Sequence, residues 1–263
     1  MESQQNKDVL SQVPLLSLSN ISYTYYTKNG STTALNNITF SVTDGEFLAI
    51  VGPSGCGKST LLNIIAGLLP PTTGQISSHI PIGYMLQKDH LLEWRTIYKN
   101  ITLGLEIQKR LSKEHIEHID RLLKDYGLYE FKNAYPRELS GGMRQRVALI
   151  RTLTLSPKLL LLDEPFSALD YQTRLNVADD IGSIIKKQKM TAVLVTHDLA
   201  EAISMADRVI ILSKRPATIK KEIPIHLTID GEISPTKARN SKEFPTYFHQ
   251  IWEEINDETT SIS

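Results

Sequence analysis

One glycine-rich stretch has the residue types that bind a phosphate chain. It fits the pattern G-x-x-x-x-G-K-[ST], in which glycines let backbone N–H groups turn toward phosphate oxygens. In such a loop Lys58 reaches the β- and γ-phosphates, Ser59 ligates Mg²⁺ and Thr60 bonds the α-phosphate. The sequence therefore predicts a site for a nucleoside triphosphate and Mg²⁺ built from Gly52, Pro53, Ser54, Gly55, Cys56, Gly57, Lys58, Ser59 and Thr60.

Two adjacent carboxylates, Asp163 and Glu164, follow a run of leucines at 159–162. A continuous apolar run of this length predicts a strand that is buried on both faces. Acids at the end of such a strand have two interpretations. They can simply mark the exit of the strand to solvent, or they can hold a metal ion and activate water.

A third motif, at 139–146, reads Leu-Ser-Gly-Gly-Met-Arg-Gln-Arg. Ser-Gly-Gly before a helix is, taken alone, compatible with an N-cap and a turn. Combined with the phosphate loop and with its distance to Asp163, the motif resembles the signature of the ATP-binding cassette (ABC) ATPases. The resemblance covers about residues 15–215. Met143 stands where the commoner form of the family has glutamine, so a glutamine contact to nucleotide cannot be assumed.

The resemblance implies roles for four polar residues. Asp163 is expected to hold Mg²⁺ through water, and Glu164 to act as the base for the attacking water, a role typically worth about 10²–10⁴-fold in rate. His197 is similar to the switch histidine of the family, which contacts the γ-phosphate, although a histidine at a strand end is often only a surface residue. Gln87 matches the glutamine that reports on Mg²⁺ and the attacking water.

The resemblance also implies that one chain does not complete the site. Ser140, Gly141 and Gly142 are expected to cap the γ-phosphate bound by the opposite chain of a head-to-tail dimer. Asp170 ends the stretch at 167–170, which matches the D-loop of the family. Because the chain carries one cassette, the partner is expected to be a second copy or a related cassette.

Two further residues are expected at the edges of the nucleotide site. Tyr25 aligns with the aromatic residue that stacks on adenine, although Tyr23 and Tyr26 are close enough to take this place. Cys56 is the only cysteine, so no intrachain disulfide is possible and a reducing compartment is expected. We interpret Cys56 as a small filler residue whose modification should block ATP binding.

The composition argues against a nucleic-acid partner and against a membrane span. Lys plus Arg and Asp plus Glu both total 29 in the 263 residues, so no overall positive charge attracts nucleic acid. The N-terminus has no apolar signal-peptide core, and the apolar runs are far shorter than the roughly 20 residues that a span needs. We therefore expect a cytosolic protein that reaches the cytoplasmic face of the membrane through a partner.

The elements that must position these residues alternate between strands and helices. Apolar runs at 47–51, 159–162, 192–195 and 209–212 predict buried strands of a largely parallel sheet, and alternating runs at 16–21 and 38–42 predict further strands. The fold class is α/β, and the resemblance implies a RecA-like P-loop core with an antiparallel β subdomain and an inserted helical (signature) subdomain. The single domain at 1–263 is expected to divide into a nucleotide-binding core at 15–88 and 157–215, a helical signature subdomain at 89–156 and a C-terminal extension at 216–263.

Three helices carry apolar faces that predict how they pack. The helix after the phosphate loop is expected to bury Leu61, Leu62, Ile64, Ile65 and Leu68 and to stop at Pro70-Pro71. A helix in the middle of the chain is expected to bury the face with Ile116, Ile119, Leu122, Leu123 and Tyr126. The tail predicts an amphipathic helix that packs on the core of the protein through Phe244, Tyr247, Phe248, Ile251, Trp252 and Ile255.

The resemblance is most specific to bacterial importers of the nitrate/sulfonate/taurine group. It implies an ATP-driven motor subunit that works with membrane permease subunits and, indirectly, with an extracytoplasmic solute-binding protein. Residues 88–101 are the expected docking surface for the permease, with Leu91 and Trp94 as apolar anchors, unless they pack inward. Two alternatives are an exporter-type complex with the same ATPase, and an ABC protein that acts on ribosomes or DNA. The sequence does not indicate which solute is transported.

Overall fold

The structure is a computed structural model that describes residues 13–28, 30–78, 80–229, 231 and 234–257. We expect residues 1–13 to be loose, and all of them except Val13 lie outside this part of the chain, as do His79 and Glu258. The strands are β1 (Leu16–Thr27), β2 (Gly30–Val42), β3 (Phe47–Val51), β4 (Thr73–Ser77), β5 (Ile82–Met85), β6 (Leu159–Asp163), β7 (Thr191–Val195), β8 (Arg208–Leu212) and β9 (Ile219–Pro224). The α-helices are α1 (Lys58–Ile65), α2 (Ile97–Ile107), α3 (Lys113–Asp125), α4 (Gly141–Leu153), α5 (Tyr171–Lys187), α6 (Leu199–Met205), α7 (Pro235–Arg239) and α8 (Phe244–Asn256).

A six-stranded sheet in the order β5-β6-β7-β3-β8-β9 forms the centre of the molecule. Its strands are parallel except β9, which pairs antiparallel with β8. Because neighbouring parallel strands end at the same edge of a sheet, the loops that follow β5, β6, β7 and β3 meet there. This arrangement is the parallel α/β core that the apolar runs predict.

Both faces of this sheet are covered, and strand β6 shows how. Leu160 and Leu162 pack into a core that includes helices α4 and α5. Leu159 and Leu161 point the other way, into a core formed with α1, β1 and β2. All of these leucines are fully buried, and burying one such side chain contributes about 1.5–3 kcal/mol. The run of leucines therefore anchors the strand that presents Asp163 and Glu164.

A separate three-stranded antiparallel sheet in the order β2-β1-β4 lies over α1. Leu18, Ile21 and Ile38 point from it into the core shared with α1. The RecA-like core, the antiparallel sheet and the helical stretch between β5 and β6 agree with the predicted fold class. The boundaries that we assign to the subdomains remain predictions.

Helix α1 ends earlier than the sequence pattern indicates. It stops at Ile65 because Gly67 adopts a left-handed φ of 72°, and the Leu68 N–H then bonds back to the Asn63 carbonyl at 2.9 Å. This is the Schellman ending of a helix, which places the residue after the glycine outside the helical register. Leu68 is consequently 63% exposed, and its predicted burial is wrong.

Two other predicted apolar faces are only partly correct. On α3, Ile119, Leu122 and Leu123 are buried, but Ile116 is 39% exposed because it lies in the first turn, beyond the reach of the core. On α8, Ile251 is fully buried and Phe244, Tyr247 and Ile255 pack against the core. Phe248 and Trp252 are exposed and stack on each other instead, with ring centroids 6.5 Å apart.

Candidate functional site

The chain between β3 and α1 curves around an open cavity of about 230 Å³. Gly57, which precedes α1, has a φ of 126°, and a Cβ atom there would lie 2.9 Å from the Leu35 side chain, so only glycine suits this position. No side chain in the described structure caps α1, which leaves its first N–H groups available to an anion. The cavity is lined by Ser54, Gly55, Gly57, Lys58, Ser59, Thr60 and Glu164.

The remaining residues of the phosphate loop form its base. Lys58 Nζ donates to the carbonyl oxygens of Gly52 at 2.8 Å and Pro53 at 3.0 Å, so the ammonium group is held at the cavity wall. Cys56 is 1% exposed, and burial raises the pKa of its thiol. Its sulfur would lie 3.3 Å from a Cβ atom added to Gly52, which places the thiol inside the loop.

The end of β6 brings a carboxylate to the first residues of α1. Ser59 Oγ donates to Asp163 Oδ1 at 3.0 Å, and Asp163 is 7% exposed. Burial raises the pKa of this carboxyl group. The Tyr84 hydroxyl donates to Asn63 Oδ1 at 3.1 Å and lies 3.4 Å from Asp163 Oδ2. Sequence reasoning missed Tyr84, because a single sequence does not show that the segment carrying it pairs with β6.

Glu164 has an uncommon backbone conformation. Its φ of 44° lies in the left-handed region, where a residue with a Cβ atom is disfavoured by about 1 kcal/mol or more. The Glu164 N–H bonds to the Val195 carbonyl at 2.8 Å, and its own carbonyl accepts from Ser167 Oγ at 2.9 Å. These bonds hold the strained turn, which directs the carboxylate back over the phosphate loop, where it lines the cavity.

The loops after β5 and β7 bring two more predicted residues to Glu164. His197 Nδ1 lies 3.2 Å from Glu164 Oε2. Gln87 Nε2 lies 3.5 Å from the same oxygen and 3.4 Å from Ser167 Oγ. The structure thus brings together three residues from separate parts of the sequence, the outer two of which, Gln87 and His197, are 110 positions apart (197 − 87). We call Lys58, Ser59, Gln87, Asp163, Glu164 and His197 the hydrolysis cluster.

Buried polar residues support the segment that carries His197. Thr196 Oγ1 donates to Glu201 Oε2 at 2.7 Å and accepts from the Asp198 N–H at 3.0 Å. Glu201 is 3% exposed, and burial is the largest cause of a pKa raised to about 7. Sequence analysis missed Glu201, because a single sequence does not show that this side chain of α6 turns back to Thr196.

Tyr25 lies at the edge of the phosphate loop. Its hydroxyl is 3.0 Å from Thr60 Oγ1, and its ring packs edge-to-face on Tyr23 with centroids 4.8 Å apart. Tyr25 is 39% exposed and Tyr26 is 75% exposed. Of the three tyrosines that could stack on adenine, Tyr25 is therefore the one whose hydrogen bond to the phosphate loop the structure shows.

The other predicted nucleotide-binding residues form a second group, which we call the signature cluster: Ser140, Gly141, Gly142 and Asp170. Ser140 caps α4 by accepting from the Met143 N–H at 3.4 Å, and Asp170 caps α5 by accepting from the Thr173 N–H at 3.0 Å. A Cβ atom on Gly142 would lie 2.9 Å from the methyl groups of Thr173 and Val177. None of the residues that line the phosphate-loop cavity belongs to α4.

The segment at 88–101 is attached to α4 by charged side chains. Arg144 pairs with Asp89 and with Glu93, each at 2.8 Å. Trp94 is 75% exposed, as its predicted role requires, but Leu91 is 7% exposed and packs into the core. The prediction that Leu91 is an exposed anchor is therefore wrong, because this side chain fills the space between β5 and the helices.

No helix among the described residues is long and apolar enough to cross a membrane. No group of three or more His, Cys, Asp or Glu residues in this part of the chain could hold a metal ion. Ser59 and Asp163 nevertheless offer a hydroxyl and a carboxylate oxygen side by side, as described above.

Comparison with known families gives one match that includes the phosphate loop and the Asp163-Glu164 pair. The sequence profile of the family described as ABC transporter matches residues 35–167. The chain is 44% identical over 249 residues to the uncharacterized ABC transporter ATP-binding protein YtlC of Bacillus subtilis, which covers 92% of this chain and 95% of the relative.

Two named import proteins and one solved structure are also similar. The nitrate import ATP-binding protein NrtD of Synechocystis sp. is 39% identical over 94% of each chain. The aliphatic sulfonates import ATP-binding protein SsuB of Bacillus licheniformis is 40% identical, covering 87% of this chain and 89% of the relative. The dimeric post-hydrolysis structure of the ATP-binding cassette MJ0796 with ADP and Pi superposes with a TM-score of 0.70 at 32% identity, covering 80% of this chain and 99% of that one.

Proposed function

The chain belongs to the ABC transporter family as an ABC-type ATPase, and from this premise we propose that it is the motor subunit of an importer for a small solute. The proposed solutes are nitrate-like, sulfonate-like or taurine-like ions or a vitamin precursor. The observation that carries the proposal is the match, at about two fifths identity and nearly from end to end, to two import proteins. An exporter-type complex is the alternative, because it would use the same ATPase with a different permease.

In this proposal the phosphate loop binds the triphosphate of ATP. The free N–H groups at the start of α1 and the Lys58 ammonium group face a cavity in which a strongly negative phosphate chain is favoured. Lys58 releases the Gly52 and Pro53 carbonyls when it turns toward the β- and γ-phosphates. Thr60 bonds the α-phosphate, and Tyr25 leaves Thr60 to stack on the adenine ring.

The donor atoms beside the loop fit Mg²⁺. Ser59 Oγ and Asp163 Oδ1 are hard oxygen ligands 3.0 Å apart, and Mg²⁺ in nucleotide sites takes one or two carboxylates together with phosphate oxygens and waters. Such a site does not need a cluster of acids. When bound, Mg²⁺ neutralises charge that develops on the phosphates. Ser59 would ligate Mg²⁺, Asp163 would hold it through water, and Gln87 would reach it from the loop after β5.

Hydrolysis is assigned to the residues around Glu164. Its carboxylate lines the cavity and is placed to accept a proton from water that attacks the γ-phosphate. His197 contacts this carboxylate, which lines the cavity, so we assign His197 the γ-phosphate contact. Gln87 donates to the same carboxylate oxygen and helps to hold the attacking water.

The signature cluster is assigned to the opposite chain of a dimer. Ser140 and the N–H groups of Gly141 and Gly142 cap the γ-phosphate there, because α4 contributes nothing to the cavity of its own chain. The dimeric state of the similar MJ0796 cassette supports this arrangement. We propose a homodimer or a pair with a related cassette, in which two ATP molecules hold the chains together and hydrolysis separates them.

The dimer is proposed to act on a membrane permease at the cytoplasmic face, with a solute-binding protein on the other side. Trp94 is the proposed contact with the permease, since it is 75% exposed and lies in the segment at 88–101, which Arg144 of α4 holds through ion pairs. The test is affinity capture of the chain from its own membranes in mild detergent, with partners identified by mass spectrometry. Trp94→Glu is the test variant, and Trp252→Glu is the matched control, because Trp252 is also exposed.

We expect the wild-type and Trp252→Glu chains to capture a multi-span permease and the Trp94→Glu chain to lose it. A permease accompanied by a solute-binding protein supports import, whereas one that never associates with such a protein supports the exporter alternative. Capture of ribosomal or DNA-maintenance proteins without a permease would contradict transport and leave the ATPase assignment intact.

A further inference from the structure

A side chain on α5 connects the signature cluster to the segment that carries His197. Arg174 NH2 donates to the Leu169 carbonyl at 3.1 Å, and Arg174 NH1 lies 3.7 Å from Asp198 Oδ2. Leu169 precedes Asp170, and its side chain would lie 3.0 Å from a Cβ atom on Gly141. Asp198 directly follows His197. One guanidinium group therefore spans the loop beside the signature glycines and the loop of the switch histidine.

The two carboxylate oxygens of Asp198 contact different groups. Oδ1 caps α6 by accepting from the N–H groups of Ala200 at 2.8 Å and Glu201 at 3.2 Å. Oδ2 faces Arg174. On the other side of His197, Thr196 is tied to buried Glu201 and accepts from the Asp198 N–H. The position of His197 is thus set by its two neighbours, and Arg174 is the connection from these neighbours to the signature side.

We propose that Arg174 is a positioning residue that couples the signature cluster to His197 of the same chain, so that the two ATP sites of the dimer do not act independently. In a head-to-tail dimer, the signature cluster of one chain meets the nucleotide of the other. A displacement of Leu169 and Gly141 by that nucleotide moves the Leu169 carbonyl, and Arg174 transmits the movement to Asp198 and His197. The proposal rests on the assignments of His197 and the signature cluster made under the proposed function.

The ion pair between Arg174 and Asp198 contributes little to stability, because the two side chains are 22% and 27% exposed and solvent weakens such a pair. A misplacement of a catalytic group by about 1 Å, in contrast, costs up to about 10²-fold in rate. A large loss of kcat in a chain of unchanged stability would therefore come from position.

The test uses the purified full-length chain with MgATP and measures kcat, KM, the Hill coefficient for ATP and the melting temperature. Asp198→Asn is the cleaner variant, because its amide oxygen can still cap α6 while the charge opposite Arg174 is lost. Arg174→Gln removes the cation. The matched control is Arg208→Gln: Arg208 is also 22% exposed and also joins carboxylates, of Glu46 and Glu222, to a backbone carbonyl, that of Ser41.

We expect Asp198→Asn and Arg174→Gln each to lower kcat by roughly tenfold with little change in KM, and to bring a Hill coefficient above 1 in the wild type down to 1. The double variant should be no worse than the more severe single variant, since both break one connection. Arg208→Gln should leave kcat and the Hill coefficient unchanged. A wild-type Hill coefficient of 1, or unchanged kcat and Hill coefficient in both variants, would overturn the proposal.

His197→Ala separates this inference from the assignment on which it rests. If His197→Ala abolishes turnover while Arg174→Gln and Asp198→Asn behave like wild type, the histidine assignment stands and the coupling is wrong. If His197→Ala turns over normally, the histidine assignment itself fails, and the coupling fails with it. Loss of kcat in proportion to a lowered melting temperature in all variants, Arg208→Gln included, would show a structural role and would also overturn the proposal.

Discussion

The hydrolysis cluster and the signature cluster are built in opposite ways. The hydrolysis cluster comes from four strand ends of one sheet, and its members contact each other: Ser59 bonds Asp163, and Glu164 meets both His197 and Gln87. The members of the signature cluster instead have local structural contacts. Ser140 and Asp170 cap helices, and Gly142 lets α4 approach α5.

This difference distinguishes the contacts that one chain makes by itself from the nucleotide contacts that need a second chain. In the hydrolysis cluster the strained φ of Glu164 and the buried Asp163 are costs that folding alone does not require, which points to chemistry. The contacts of the signature cluster are fully accounted for by helix capping and packing. Its nucleotide contact must therefore be tested between chains rather than within one.

The largest expected effect is in the hydrolysis cluster. Glu164→Gln keeps the shape of the side chain but cannot accept the proton of the attacking water, so we expect kcat to fall by about 10²–10⁴-fold while ATP affinity is retained. Single-turnover ATPase assays and calorimetric titration with MgATP measure the two quantities. Glu222→Gln, an exposed surface change, is the control. Near-normal turnover of the Glu164 variant would contradict its assignment as the base.

The next effect is on ATP binding. Lys58→Ala removes the one ammonium group that lines the cavity among the described residues, and a hydrogen bond to a charged group contributes about 1.5–3 kcal/mol, so we expect affinity to fall by roughly 10²-fold. Lys158→Ala, an exposed change outside the cavity, should bind ATP like the wild type. Micromolar affinity of the Lys58 variant for ATP would contradict the assignment of Lys58 to the nucleotide site.

Mixing two inactive variants tests the comparison of the clusters directly. Ser140→Arg should block the signature cluster while leaving the phosphate loop of its own chain intact. A head-to-tail dimer of Ser140→Arg with Lys58→Ala contains one intact composite site, so mixing the variants should restore activity that neither has alone. The ATPase rate is measured against the mixing ratio. If no ratio restores activity, the two clusters do not meet across an interface.

Much of the hydrolysis cluster could be predicted from the sequence because its geometry follows from topology. Apolar runs predict that β3, β6 and β7 are buried strands of a largely parallel sheet, and residues that follow such strands share one edge; the structure adds that β3 and β6 both pair with β7. The presence of Glu164 and His197 at the same edge of the sheet therefore follows from the strand pattern. The phosphate loop is equally predictable, since its glycines and lysine all lie at 52–58.

Other features depend on information that periodicity does not carry. Strands β4, β5 and β9 have short or mixed sequences and were not predicted, since their pairing is decided by neighbouring strands. The exposure of Leu68 follows from the left-handed φ of Gly67, and the burial of Leu91 from tertiary packing. The connections made by Tyr84, Arg174 and Glu201 join positions far apart or in separate elements, where a single sequence gives no pairing signal.

A smaller effect concerns the buried carboxyl group of Glu201, which supports the segment that brings His197 to the hydrolysis cluster. The folded pKa of Glu201 is about 7 instead of the ordinary 4.5, so between these values the folded chain holds a proton that the unfolded chain has lost. The stability contributed by this proton is complete below pH 4.5 and is lost as the pH rises through 7. The difference is on the order of 3 kcal/mol.

Glu201→Gln carries a neutral side chain at every pH and should not show this loss. We expect its melting temperature, relative to the wild type, to rise between pH 5 and pH 8, because the wild type is destabilised by an ionised buried carboxylate. Glu222→Gln serves as the exposed control and should follow the wild type. A constant difference between the Glu201 variant and the wild type over this range would mean that Glu201 is ionised throughout.

The smallest effect gives the sharpest separation of structure from function in the signature cluster. Ser140→Ala removes the cap of α4, and Ser112→Ala removes a cap from α3, since both hydroxyls accept an N–H at 3.4 Å; the Ser112 hydroxyl also lies 2.7 Å from His115 Nδ1. Each change should lower the free energy of unfolding by about 1 kcal/mol, measured by urea denaturation. Only Ser140→Ala should also lower the ATPase rate, because only this hydroxyl is assigned to a nucleotide of the partner. Equal ATPase rates in the two variants would mean that the Ser140 hydroxyl only caps α4. The γ-phosphate contact would then be made by the N–H groups of Gly141 and Gly142 alone.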